Sequence, residues 1–272
     1  MQSLVSVVIP CYRCADTIAR AVGSVIIQTL LPKEILLVED CSDDAGFTLA
    51  ALYRLQQDFL GKVSIMVIPL KQNGGAGSAR NAGWAAAQGT YVAFLDADDS
   101  WHPRKIEIQQ AFMAVHPELD LCGHGFCEIS IDSVEKDTVF SSQYEILSCA
   151  GLLFSNRLAT RTIMLKRLAD YRFRTGKRYA EDYLLWLQMA CDGRQLAVLD
   201  QQLAYTYKAP YGASGLSADL WRGEKGELEV YRILVAEKRI SKVMSAIVSI
   251  YSVMKYLRRL FLVLGRRWRA AS

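Results

Sequence analysis

Apolar and polar positions change over in short blocks along the first hundred residues. Residues 4–10 are an apolar run broken only by Ser6, the pattern of a strand buried on both faces. Asp16 stands where it can cap a helix whose apolar positions Ile18, Val22 and Val25 recur at helical spacing. Residues 35–38 form the next strand, ending at Glu39-Asp40, and the helix after it gathers Leu52, Leu55 and Phe59 on one face. A third strand over 64–70 leads into the glycine-rich stretch Asn73-Gly74-Gly75-Ala76-Gly77 and a helix over about 78–88; a fourth strand covers 91–95. The β-α-β-α-β-α-β order predicts an α/β fold, Rossmann-like, with a mostly parallel sheet flanked by helices. The pattern divides the chain into a domain over 1–220, with halves at 1–100 and 101–220, and a helical basic tail over 221–272.

Composition adds bounds. Of 272 residues 51% are apolar, enough for a sizeable core. The net charge of +4 conceals an asymmetry, because every charged residue from Lys238 onward is Lys or Arg and the remainder is net negative. Seven cysteines, an odd number, argue against a disulfide framework. The first apolar run is short, lacks a basic flank and ends at Pro10, so no signal peptide is expected and a reducing cytosolic setting is the simplest reading. Cys11-x-x-Cys14 has no second pair at metal-binding spacing, which favours structural cysteines.

The chemistry gathers where the fourth strand ends. Asp96-Ala97-Asp98-Asp99 places three carboxylates in a small space, where they repel unless a cation lies among them. Hard divalent ions are shared between one or two carboxylates and substrate phosphates, and ligands of open α/β sheets bind outside the carboxyl ends of the strands. The alternative is a solvated acidic turn before a helix starting near Pro103. The glycine stretch is neither a dinucleotide fingerprint nor a P-loop, since it lacks G-x-G-x-x-G and a following Lys-Ser/Thr. It permits close backbone approach beside a helix N-terminus that favours anions, with Arg80 adding a positive charge; a plain tight turn is the other reading.

Five stretches now stand in order: Val8-Ile9-Pro10-Cys11-Tyr12, Leu37-Val38-Glu39-Asp40, Asn73 to Gly83, Phe94-Leu95-Asp96-Ala97-Asp98-Asp99, and Tyr179-Ala180-Glu181-Asp182-Tyr183-Leu184-Leu185-Trp186. Together they resemble the successive motifs of family 2 inverting glycosyltransferases with the GT-A fold. The resemblance implies that Asp40 binds the nucleotide base, with Pro10 and Tyr12 bordering base and ribose. It implies that Asp98 binds Mn²⁺ or Mg²⁺, that Asp96 faces the ribose or reaches the ion through water, and that Gly77 and Arg80 help position the nucleotide-sugar donor. Asp182 becomes the general base that takes the proton of the attacking hydroxyl. Glu181 orients the loop or contacts the acceptor. Both carboxylates also suit a helix N-terminus on electrostatic grounds alone.

Departures matter. Arg13 replaces the family's common Asn, and Cys41 follows Asp40 where glycine is usual. Tyr207-Lys208 with Gly212 and Ser217 resembles a Tyr-Arg…Ser stretch, with Lys208 in place to touch the diphosphate. The Gln-x-x-Arg-Trp signature of processive synthases is absent, so one sugar per encounter is expected. Residues 119–207, with Gly123-His124-Gly125 and 155–166, are expected to shape the acceptor side, and His102 is a minor candidate to support the metal.

In the tail, Val243, Ile247, Ile250, Met254, Leu257, Phe261 and Leu264 follow helical spacing among Lys255, Arg258, Arg259, Arg266, Arg267 and Arg269. The uncharged stretch 243–254 is too short to span a bilayer, which takes ~20 apolar residues. A basic amphipathic helix on an anionic membrane surface, through 243–269, is the expectation; packing on the domain or a dimer contact is the alternative. Nucleic acid is not expected as a partner. The resulting expectation is a metal-assisted glycosyltransferase at the cytoplasmic face of the membrane, acting on a glycan or lipid-linked acceptor. A nucleotidyltransferase and a non-catalytic nucleotide-sugar or glycan-binding partner are the competing classes.

Overall fold

The computed structural model of the protein describes residues 3–130, 141, 143–207 and 219–271, with side chains through 263. β1 (Val5–Cys11), β2 (Glu34–Glu39), β3 (Ser64–Pro69) and β4 (Tyr91–Phe94) alternate with α1 (Ile18–Ile26), α2 (Phe47–Asp58) and α3 (Ala76–Ala86). These four strands pair in parallel, in the order β3-β2-β1-β4. Parallel strands covered on both faces read as near-continuous apolar runs, as over 35–38 and over 4–10, where Ser6 interrupts with its hydroxyl donating to Glu34 at 2.6 Å. Val7, Ile9, Ile35 and Leu37 point to the side of α1 and α2, while Val8, Leu36, Val38 and Phe94 point to the side of α3. Thr17, not Asp16, is the residue before the first turn of α1, and no side chain caps that helix.

The second half extends the same sheet. β5 (Ser100–Trp101) and α4 (Lys105–Val115) follow the acidic stretch, then β6 (Leu121–Glu128), β7 (Tyr144–Leu147), α5 (Cys149–Phe154), a 3-10 turn at Thr160–Thr162, β8 (Met164–Lys166), α6 (Glu181–Cys191) and β9 (Leu196–Thr206). β8 runs antiparallel to β4 and to β6, β9 lies parallel to β6, and β5 and β7 pair antiparallel with β9. The parallel arrangement therefore holds for the first four strands, and the second half adds antiparallel partners. Because β8 enters beside the carboxyl end of β4, the turn at 160–162 arrives at the edge where Asp96 leaves the sheet. One disulfide, Cys149–Cys191, ties α5 to the end of α6, and the other five cysteines are free. One pair among seven cysteines falls short of a full disulfide framework.

α7 (Leu220–Ala236) and α8 (Lys242–Ala271) complete the chain. Val230, Tyr231 and Leu234 of α7 and Val248 of α8 belong to the same apolar cluster as β1, β4 and α6. Lys105, the first residue of α4, is fully buried with Nζ 3.6 Å from the Trp101 ring centre and no hydrogen-bond partner among the described residues. Burial pushes its amine down to about 7. Folding must therefore discharge this lysine at neutral pH. That cost is full below about pH 7 and fades as pH rises toward the ordinary lysine range. Lys105→Met keeps a chain over the Trp101 ring and is expected to stabilise the protein by roughly 1–4 kcal/mol at pH 7. In thermal unfolding the advantage over wild type should shrink from pH 7 to pH 10; an advantage that stays constant contradicts this account.

Candidate active site

Parallel register brings the site together. Val8 lies opposite Phe94 and Cys11 opposite Glu39, so the segments after β1, β2 and β4 leave the sheet at one edge. Asp40 is buried, and its carboxylate accepts from the backbone N–H of Gly74 and of Gly75, each at 2.8 Å. The Asn73 amide donates to the Asp40 carbonyl at 2.8 Å. The glycine loop thus spends two N–H groups on Asp40 rather than holding them open as an anion cradle. Burial raises the Asp40 carboxyl, and the two N–H bonds work against that rise. Each of its oxygens retains acceptor capacity for a nucleobase N–H. Gly75 has φ +82°, and Cys41 beside Asp40 takes φ +52°, the left-handed conformation that glycine occupies without penalty.

Tyr12 is exposed, with its hydroxyl donating to Asp43 at 2.8 Å, and Arg13 pairs with the same carboxylate. Arg13 is therefore engaged at the rim of the site, and Pro10 lies half-buried at the end of β1.

Arg80 is buried and links the two halves. Its guanidinium donates to Asp96 at 2.7 Å and to Glu181 at 3.1 Å, over the ring of Phe173. Phe173 packs edge-on against Trp84, Phe94 and Trp186, which holds the guanidinium from below. A Cβ at Gly77 would meet Glu181 Cγ and Phe173 Cβ at 3.2 Å each, so glycine here lets the start of α3 approach the Glu181 segment. Ala180, with φ +54°, turns the chain into α6 and sets Glu181 and Asp182 in its first turn. Burial, then the neighbouring Asp182, raises the Glu181 carboxyl against the pull of Arg80. Asp182 is half-buried, and its Oδ2 accepts from the Thr160 hydroxyl at 2.8 Å.

Asp96 and Asp98 are half-buried beside the buried Asp99, which accepts from Arg161 at 2.6 Å. Burial, then Asp96, raises the Asp99 carboxyl despite Arg161, with Asp98 adding to the rise. Among the described residues no three His, Cys, Asp or Glu side chains form a full ligand set. One or two carboxylates with open positions suit a hard divalent ion that takes its other ligands from phosphates and water, and the donor chemistry fits Mn²⁺ or Mg²⁺. His102 accepts the Arg104 N–H on Nδ1 at the start of α4. His124 is buried, pushed down to about 3 by burial. Lys208 lies outside the described residues; its neighbour Tyr207 shares a hydrogen bond with Ser100 and lies under Arg20. Thr160 and Arg161 fall in the stretch 155–166 expected on the acceptor side, but their contacts to Asp182 and Asp99, and that of Phe173 to Arg80, were not legible, because each joins residues far apart along the chain.

A sheet of this topology with an acidic triplet at its carboxyl edge, faced by a carboxylate pair from the second half, is the arrangement of a GT-A glycosyltransferase. Comparison with known proteins agrees: the sequence model described as "Glycosyl transferase family 2" matches residues 6–167. The chain belongs to that family. It is 34% identical over 197 residues to the Escherichia coli UDP-Glc:alpha-D-GlcNAc-diphosphoundecaprenol beta-1,3-glucosyltransferase WfaP, covering 70% of this chain and 71% of that protein. It is 30% identical over 233 residues to the putative teichuronic acid biosynthesis glycosyltransferase TuaG of Bacillus subtilis, covering 84% and 87%. The fold matches S. aureus TarS 1-349 in complex with UDP-GlcNAc, with TM-score 0.69, 21% identity and coverage of 96% of this chain and 73% of that one. It also matches the Pyrobaculum calidifontis mannosyltransferase PcManGT in complex with GDP-Man and Mn²⁺, with TM-score 0.67, 15% identity and coverage of 97% and 76%.

Removing one partner of a buried ion pair leaves a buried charge and costs about 3–5 kcal/mol. Arg80→Met is expected to lower stability by that order in urea unfolding. Adding Glu181→Gln should recover part of it, since one of the two stranded carboxylates is then gone; strictly additive losses contradict the shared pairing.

Proposed function

We propose that the protein transfers a single sugar, with inversion, from a nucleotide-sugar to a glycan carried on a polyprenyl diphosphate at a membrane surface during polysaccharide assembly. The observation that carries this reading is Asp182: a half-buried carboxylate held by Thr160, joined through Glu181 and Arg80 to the acidic triplet. An inverting transfer is one displacement. The acceptor hydroxyl oxygen forms the new bond to the anomeric carbon, its proton passes to Asp182, and the bond to the diphosphate breaks as nucleoside diphosphate leaves. Thr160 donates to one carboxylate oxygen and the Tyr183 backbone N–H to the other, at 2.7 Å, which fixes the group while each oxygen keeps a further lone pair for a proton. Asp40, Pro10 and Tyr12 take the base and ribose, and Gly77 and Arg80 position the donor indirectly, through the Glu181 segment and Asp96. Asp98, with Asp96, would hold Mn²⁺ or Mg²⁺, which neutralises charge on the leaving diphosphate.

The names of the relatives support the substrate classes: a nucleotide-sugar donor in WfaP and in the TarS and PcManGT complexes, and a diphosphoundecaprenol-linked acceptor in WfaP. α8 supports the surface location, on the inner face of the cell membrane. Among the described residues no helix is long and apolar enough to cross a membrane. Yet Val243, Ile250, Met254, Leu257 and Phe261 are exposed along one side of α8, a contiguous apolar face of the kind that meets a partner. Arg258 is exposed beside it, suited to anionic headgroups. Leu264, Arg266, Arg267 and Arg269 have side chains outside those described.

Asp182→Asn is expected to cut nucleoside-diphosphate release about 10²–10⁴-fold with donor binding and folding intact. Near-normal turnover by that variant removes the assignment. Ile250→Glu with Leu257→Glu leaves the packed side of α8 untouched and should abolish flotation with phosphatidylglycerol vesicles at an unchanged melting temperature. Undiminished flotation removes α8 as the attachment.

A further inference from the structure

A cavity of about 500 Å³ opens between residues 174–179 and the first turns of α7. Arg174, Lys177, Arg178, Arg222 and Lys225 line it, against one carboxylate, Glu229. Glu229 is spent on Lys177, whose buried Nζ lies 2.7 Å from it and also donates to the Gly226 carbonyl at 3.0 Å. Arg222 pairs with Asp219 at 3.2 Å and Arg174 reaches Glu237 at 3.8 Å. Among the described residues Arg178 and Lys225 form no ion pair; Arg178 donates to the neutral amide oxygen of Asn73, at 2.7 Å, and lies close enough to Asp40 to pull that carboxyl down. The cavity therefore carries a surplus of positive charge that its own walls do not neutralise. A doubly charged anion with several acceptor oxygens matches it.

Its position selects which anion. Arg178 stands four residues before Asp182, which limits their separation to about 14 Å of extended chain. The donor diphosphate belongs with Asp96 and Asp98, across the buried Arg80–Glu181 pair. On the other side the cavity runs into aromatic side chains. Lys225 Nζ lies 5.0 Å from the ring centre of Trp221, which is half-exposed and packs on Tyr256 of α8 at 5.8 Å. Trp and Tyr with flanking cations are the composition that settles at the headgroup level of a bilayer, and Tyr256 is on the helix whose outer face is apolar. We propose that this cavity holds the diphosphate of the lipid-linked acceptor, with the prenyl chain leaving past Trp221 and Tyr256 toward the bilayer and the sugar reaching Asp182. The proposal rests on the lipid-linked reading given above.

Arg222→Gln with Lys225→Gln in the full chain tests it. Both side chains are exposed, and an unchanged melting temperature will check folding. Two acceptors carry the same sugar, one on a short prenyl diphosphate and one as a phosphate-free alkyl glycoside. The expected result is a rise of tenfold or more in KM for the diphosphate acceptor, with kcat, donor KM and KM for the glycoside unchanged. Inorganic pyrophosphate should compete with the diphosphate acceptor in wild type, with its inhibition constant raised by a similar factor in the variant. An unchanged KM, or an equal rise for both acceptors, overturns the proposal. So does loss of binding to phosphatidylglycerol vesicles with acceptor KM unaltered, which assigns the cavity to phospholipid headgroups. If wild type transfers only to phosphate-free glycans, the lipid-linked reading fails by itself. Calorimetry with pyrophosphate then decides the cavity, and equal binding by both proteins overturns it.

Discussion

The guanidinium of Arg80 stands between Asp96, at the end of β4, and Glu181, at the start of α6. A buried cation is costly unless its partners are close and well aligned, and here two carboxylates from two halves of the chain share it. Neither half can shift far without stranding a charge. The packed rings of Phe173, Trp84, Phe94 and Trp186 hold the plane on which this arginine lies. The distance between the acidic triplet and Asp182, on which a transfer across the cleft depends, is thereby set by one ion cluster and one aromatic cluster.

Around this centre the backbone is held in conformations that L-residues seldom adopt. Arg13, Cys41 and Ala180 all have positive φ, at 47°, 52° and 54°. They stand beside Tyr12, Asp40 and Glu181, respectively. Such positions cost on the order of 1–3 kcal/mol each and persist where the surroundings determine them. At Asp40 the determining contacts are visible: Gly74 and Gly75 N–H groups grip both carboxylate oxygens. The loop that resembles an anion cradle is here a clamp on the side chain proposed to read the base.

α8 is amphipathic in the opposite sense from a helix lying on a soluble core. Its Ser252, Lys255 and Arg259 face inward to Glu227 of α7, while Val243, Ile250, Leu257 and Phe261 face outward. Charged side chains fix it to the protein, and the apolar side is left for something else. Packing on the domain, one of the alternatives open from sequence, is realised on one side of the helix, and an exposed apolar face is left on the other. The cationic cavity at the start of α7 and the Trp221–Tyr256 contact lie along the same flank.

Local order was legible from the chain because it depends on neighbours in sequence. Apolar runs marked the buried parallel strands, the acidic triplet and the Glu181-Asp182 pair carried their chemistry on adjacent residues, and five ordered motifs marked the family. What sequence could not supply were the contacts between distant residues. Thr160 on Asp182, Arg161 on Asp99 and Arg80 on both Asp96 and Glu181 join positions 16 to 101 residues apart. A lone threonine or arginine has no local signature of such a role. Likewise, Cys149 and Cys191 meet only because α5 and α6 pack together, and which face of α8 turns inward follows from where Glu227 sits on α7. Sequence determined the strands, the helices and the chemical groups on offer; tertiary structure decided which groups meet, because hydrogen bonds and ion pairs act over a few ångströms of space whatever the separation along the chain.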